Sequence, residues 1–168
     1  MTRGEVTDQA NPYEAVAGIS YTQSAGPLWV GGAVKGITQS VHQSNSQAVA
    51  LDLGVFSTAF QDRLRWGVSL ANWGTPLRDE NESVQLPTRL RGGAGWAIPL
   101  GKSSKNKILL ATQLDIPNDE KPDLRLGLEF SNKNPSLETA VRAGYNPSNT
   151  GGWDGFTLGF GLGIRSIS

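Results

Sequence analysis

The sequence predicts an all-β fold, an antiparallel up-and-down transmembrane β-barrel. Three observations predict it: oily and polar side chains alternate in segment after segment, no segment carries a helical period, and the connections are short and rich in Pro, Gly, Asn and Ser. The alternation is cleanest at residues 123–130. Leu124, Leu126, Leu128 and Phe130 fall on one face there, and Asp123, Arg125, Gly127 and Glu129 on the other. Successive strand side chains point to opposite faces, so this is an oily wall backed by a charged, glycine-bearing wall. A soluble sheet also has two such faces, but only a few strands can share one core. Here the pattern runs almost the whole chain, as in a barrel that is oily outside and polar inside. Short connections favour antiparallel hairpins, because parallel strands need crossovers of a dozen or more residues.

Taken in order, the chain reads as about nine strands of the length a tilted membrane strand needs. The first covers residues 14–22. The second, 28–39, sets Leu28, Val30, Gly32 and Val34 against Lys35. The third, 47–58, sets Val49, Leu51, Leu53 and Val55 against Asp52. In the fourth, 63–73, Leu64, Trp66, Val68 and Leu70 oppose Arg65 and Ser69. In the fifth, 87–98, Leu90, Ala94, Trp96 and Ile98 oppose Arg89 and Arg91. In the sixth, 107–116, Ile108, Leu110, Leu114 and Ile116 oppose Gln113 and Asp115. The seventh is the stretch at 123–130. The eighth, 137–145, sets Val141, Ala143 and Tyr145 against Glu138 and Arg142. The ninth, 155–165, sets Phe156, Leu158, Phe160, Leu162 and Ile164 against Thr157, three glycines and Arg165. Together they make one domain over residues 1–168. Connections 23–27, 59–62 and 132–135 are tight. Those at 40–46, 75–86, 117–122 and 146–152 are longer and more polar, and the two kinds alternate except at 99–106. Barrels of the outer membrane alternate in this way between short periplasmic turns and longer outside loops.

Composition narrows the function classes. Fifteen basic residues balance fifteen acidic ones, so there is no electrostatic footprint for nucleic acid. The absence of Cys excludes disulfides, thiolate zinc sites and Cys nucleophiles. No apolar run reaches the ~18 residues of a membrane helix, which says nothing against strands. The first residues lack the apolar stretch of an export signal. Trp66, Trp96, Phe130, Tyr145 and Phe156 share the oily parity near strand ends, where interfacial aromatic girdles belong.

The polar parity collects Lys35, Asp52, Arg65, Arg89, Arg91, Asp115, Arg125, Glu129, Glu138, Arg142 and Arg165. Facing lipid at mid-depth, each Arg or Lys would cost about 2–4 kcal/mol, so this set faces inward. Two readings stay open: a lumen that holds a polar or amphipathic ligand, or a self-neutralising charge ladder that packs the interior. A symmetric turn after residue 133 would oppose Glu129 to Glu138 and Arg125 to Arg142, and like charges directly opposed destabilise. A shifted register or diagonal contacts would relieve this.

Other motifs carry little chemistry. Residues 95–103 approach a P-loop but have one residue too many between the glycines, and no helix pattern follows. Gly159, Gly161 and Gly163 lack the dinucleotide-binding spacing. His42 sits in a Gln/Ser/Asn-rich loop, Asp79, Glu80 and Glu82 in an acidic loop, and neither builds a metal or catalytic site. No acid, base, nucleophile and metal set suggests an enzyme, and no cofactor is implied.

Several segments in order carry a family resemblance. These are Gly31-Gly-Ala-Val-Lys-Gly36, Ala50-Leu-Asp-Leu-Gly-Val55, Trp66-Gly-Val-Ser-Leu-Ala-Asn-Trp-Gly74 and Leu86-Pro-Thr-Arg-Leu-Arg-Gly92. Leu114-Asp115, Leu126-Gly-Leu-Glu-Phe130, Val141-Arg-Ala-Gly-Tyr145 and Gly159-Phe-Gly-Leu-Gly163 follow. The run resembles the PorV/PorQ family of outer-membrane barrels, relatives of FadL-type hydrocarbon transporters, over residues 14–165. The resemblance implies a Gram-negative outer-membrane barrel of about fourteen strands. It also implies a role in protein export or surface attachment of the type IX secretion kind, with lipid, secreted cargo and secretion-machinery subunits as partners. Alternatively it implies a FadL-like channel for hydrophobic or amphipathic small molecules. The family would continue beyond both ends, so the chain is expected to be a C-terminal-half fragment whose isolated form is an open sheet or a forced closure. A soluble all-β binding module is the third reading; it requires the oily faces to cover each other.

Overall fold

The computed structural model describes residues 13–41, 44–78, 83–101, 105–148 and 155–164. The elements are β1 (Tyr13–Ala25), β2 (Leu28–Val41), β3 (Ser44–Ala59), β4 (Leu64–Gly74), β5 (Leu77–Arg78), β6 (Ser83–Val84), β7 (Arg89–Leu100), β8 (Asn106–Pro117), β9 (Asp123–Lys133), β10 (Leu137–Tyr145) and β11 (Phe156–Ile164). The long strands form one antiparallel sheet in the order β1-β2-β3-β4-β7-β8-β9-β10-β11. Each pairs with its neighbour in sequence, with β5 and β6 set aside as a short side arm on β3. This is the up-and-down meander that the short connections predict. The sheet is not closed: β1 and β11 are its edges, and among the described residues they do not pair with each other.

Register assigns the faces, because residues directly opposed across an antiparallel pair project from the same side. Val30 opposes Val55, which opposes Val68. Leu70 opposes Leu90, which opposes Ile116. Leu110 opposes Leu128, and Phe130 opposes Val141, which opposes Phe160. These form one apolar face across the whole sheet. Its side chains are open to the surroundings, Leu158 at 87% and Ile164 at 80%. Among the described residues the buried hydrophobics are only Ala48, Ala50, Leu86 and Ala140, and no large side chain is fully buried. The described residues therefore form a sheet without a core of its own over most of its area.

Two connections differ from the sequence expectation. Residues 40–46 read as a longer polar loop, but β2 runs to Val41 and β3 starts at Ser44, which pair with each other. The strands extend because Thr38, Gln39 and Ser40 find backbone partners in Gln47, Ser46 and Asn45, and polar side chains do not prevent pairing where both faces are wet. His42 lies outside the described residues. Residues 75–86 read as a solvated loop, but they carry β5 and β6 and bring Leu86 to 5% exposure against Ala48 and Ala50, beside Ile37 and Leu77. An isolated Leu in a polar stretch gives no periodic signal, so this inward fold was not legible. Asp79, Glu80 and Glu82 lie outside the described residues. The P-loop-like segment is a strand as far as Leu100, followed by Gly101 at φ 75°. Gly95 through Leu100 thus sit in a ladder rather than at a strand-to-helix turn.

The β3–β4 turn departs from the sequence preference for Asn-Gly at such corners. Phe60, Gln61 and Asp62 all adopt positive φ (55°, 59° and 63°), and the Arg63 amide donates to the Phe60 carbonyl at 3.3 Å. The twist of a two-stranded ribbon requires this left-handed geometry. Phe60 meets Trp96, with ring centroids 5.4 Å apart.

Candidate functional site

The candidate site is the polar face. Period 2 puts Lys35 on that face of β2, Asp52 on β3, Arg65 on β4, Arg89 and Arg91 on β7, and Asp115 on β8. It puts Arg125 and Glu129 on β9, and Glu138 and Arg142 on β10. These side chains share one side of the sheet, as their sequence parity requires. Arg165 lies outside the described residues.

The strongest knot is at β2–β3–β4. Between the pairs Leu51–Trp73 and Leu53–Leu70, two residues of β4, Ala71 and Asn72, face the single Asp52. This is a β-bulge, and Asn72 occupies the left-handed region at φ 57°. Asn tolerates that region better than most residues because its short polar side chain bonds locally. The Asn72 amide donates to Asp52 Oδ1 at 2.8 Å, and Lys35 Nζ donates to Asn72 Oδ1 at 2.6 Å. Lys35 Nζ also pairs with Asp52 Oδ2 at 2.8 Å. The knot hangs the following loop: Thr88 Oγ1 donates to the Asn72 carbonyl at 3.0 Å, and Asn72 Nδ2 donates to the Pro87 carbonyl at 3.3 Å. Asn118 from the β8–β9 loop donates to the Leu86 carbonyl at 3.1 Å. Residues 86–88 are thereby tied to the polar face at the loop end of the sheet.

A second cluster lies across β7–β8–β9. Asp115, 2% exposed, takes Arg91 Nη2 at 2.9 Å and Arg89 Nη1 at 3.5 Å. Directly opposite stands Asp123, whose Oδ2 meets Arg125 Nη2 at 2.6 Å. Two opposed carboxylates would repel. The three guanidiniums remove that cost, so the cluster is a neutralising structure before it is anything else. Arg65 pairs with no carboxylate among the described residues; it stands opposite Gly95 and Thr58.

In the β9–β10 pair the shifted register is the one adopted. Lys133 opposes Glu138 and Arg142 opposes Glu129, with ion pairs of 2.9 Å and 2.5 Å. Opposite charges face each other, and the like-charge pairing of a symmetric turn does not arise.

Between the two clusters the polar face holds a hollow of about 590 Å³. Its side is formed by Trp29 and Phe56, opposed across β2 and β3 and 52% and 42% exposed. Its floor is glycine: a Cβ on Gly31 would lie 2.8 Å from Thr22 Oγ1, so a side chain there would displace Thr22. No family model, curated protein or solved structure matches the chain.

Trp29, Phe56 and Asn72 belong to the site although the charge-based reading passed over them. The signal for the aromatics was available: Val30 and Val55 lie on the apolar face, so their neighbours Trp29 and Phe56 must lie on the polar one. Asn72 carried no such signal, because the bulge that turns it to the polar face breaks the period.

Proposed function

We propose that the chain forms the wall of a transmembrane β-barrel in a Gram-negative outer membrane, of the PorV/PorQ type. In this reading the apolar face meets lipid, the polar face lines a wet lumen, and the protein serves export or surface attachment of secreted proteins. One observation carries it: a single face of a long meander exposes Leu, Val, Ile and Phe from edge to edge, while the ion pairs occupy the other. Exposed apolar patches on soluble monomers seldom exceed a few hundred Å². An apolar face spread over nine strands needs a medium or a second layer, and lipid is the medium that the strand lengths suit.

Two further points support a barrel. Aromatics collect toward both ends of the apolar face: Trp96 with Phe60 near the tight turns, Tyr145 with Phe156 near the loops, at ring centroids 4.5 Å apart. Topology also fits. β1 and β11 run in the same direction, so antiparallel closure needs an odd number of additional strands. A barrel of about fourteen strands would add about five.

The export role is preferred over a FadL-like channel because ion pairs interrupt the polar face at Lys35–Asp52, Arg91–Asp115 and Arg142–Glu129. A hydrophobic molecule crossing this wall would meet fixed charges at several levels. The stretch at residues 86–88, anchored on that face, instead suits contact with a protein partner. Two measurements test the reading. Recovery of the full-length protein in the soluble fraction would overturn the barrel. Replacing residues 78–83 with a short turn, while keeping the Leu86–Pro87–Thr88 anchor, should lower cargo on the cell surface; unchanged display would count against export.

A further inference from the structure

We propose that the hollow beside Trp29 and Phe56 is a saccharide-binding platform. The inference rests on the polar face being water-filled, as the barrel reading has it. Register places its parts in two adjacent lines across the strands. One line runs Trp29, Phe56, Gly67, Gly93, Gln113. The next runs Thr22, Gly31, Gly54, Ser69, Arg91. From Phe56 to Gln113 is three strand spacings, about 14 Å. Two aromatic rings stand at one end, amide and guanidinium donors at the other, and a glycine floor lies between. At about 590 Å³ the hollow falls within the usual range for small-molecule sites.

The chemistry selects the ligand. Asp52 is neutralised by Lys35 at 2.8 Å and Arg91 is engaged by Asp115 at 2.9 Å, so the hollow has little net charge with which to recruit an ion. What it offers are exposed ring faces and neutral hydrogen-bonding groups: the hydroxyls of Thr22 and Ser69 and the Gln113 amide. An acyl chain lying here would desolvate those groups without pairing them, which is unfavourable. A sugar presents an apolar C–H face to an aromatic ring and hydroxyls at its rim, and so matches both sets. The glycine floor admits a flat, extended ligand of a few rings.

The test is calorimetric titration of the full-length protein, held in a detergent with no sugar head group. Maltohexaose, cellohexaose and xylohexaose are the probes, with decanoate in parallel. At least one hexasaccharide should bind saturably, and its affinity should fall tenfold or more in both Trp29→Ala and Phe56→Ala. Trp96→Ala, on the opposite face, should bind as the parent does. Binding of none of the three, equal binding after loss of both rings, or ring-dependent binding of decanoate in their place would each overturn the proposal. Heat-modifiable gel mobility of each variant reports barrel formation separately, so a failed barrel is distinguishable from an empty platform.

Discussion

Two regions of the same sheet are held by different means. At β2–β3–β4 the ladder is broken by a bulge, and the break is filled by Lys35, Asp52 and Asn72. A loop then folds back over the polar face and buries Leu86 on Ala48 and Ala50. At β9–β10–β11 the ladders run without a bulge, the polar face carries surface ion pairs, and the apolar face is bare, with Phe160 at 71% and Leu162 at 59% exposure. The first region brings much of its stabilisation with it. The second has backbone pairing and little else, and depends on whatever covers its apolar face. The contrast shows how one chain combines a bare apolar wall with a fixed feature on its polar face.

The comparison can be broken most severely in the regular region. Phe160→Lys puts a charge on the bare face at mid-strand and should cost about 2–4 kcal/mol of folding stability in a bilayer. Thr157→Lys, on the polar face of the same strand, should cost little. Urea unfolding in vesicles checks both; equal effects would remove the distinction between the faces. In the bulged region, Asp52→Leu strips Lys35 of its carboxylate partner and leaves the Asn72 amide unsatisfied. Hydrogen bonds to charged groups contribute about 1.5–3 kcal/mol, and a loss of about that size is expected in the same assay. Leu86→Ala should cost about 2 kcal/mol, the lower end for a buried Leu because its cluster is small. The signature should be local: faster proteolysis within residues 75–88 with unchanged membrane insertion.

Smaller effects sharpen the picture. Asn72→Val places a β-branched residue at positive φ and should destabilise by about 1–2 kcal/mol, whereas Asn72→Gly should restore much of that and lose only the side-chain bonds. Last, Glu138→Gln removes an exposed ion pair to Lys133 and should change stability by no more than about 0.5 kcal/mol. A large effect there would mean that the regular region holds together through its charges after all.

The fold was legible where the period was clean. Leu124, Leu126, Leu128 and Phe130 already fixed one face of β9, and the strand in the structure extends that segment to Lys133. The charged set was legible for the same reason, since Lys35, Asp52 and Arg142 take their side from parity alone. Pairing partners were not. The charges of β9 and β10 allowed several registers, and only the assembled hairpin selects the one with Arg142 opposite Glu129.

By itself the sequence determined the all-β class, the antiparallel meander and the side each ordinary strand residue takes. These follow from a local rule, the two-residue period of a strand, which needs no partner to operate. Only the tertiary structure decided the bulge at Asn72, the burial of Leu86, the neutralisation of the opposed Asp115 and Asp123, and the hollow beside Trp29 and Phe56. Each joins residues from strands or loops far apart in the chain. Their energies depend on distances across strands, and one-dimensional periodicity does not encode those distances.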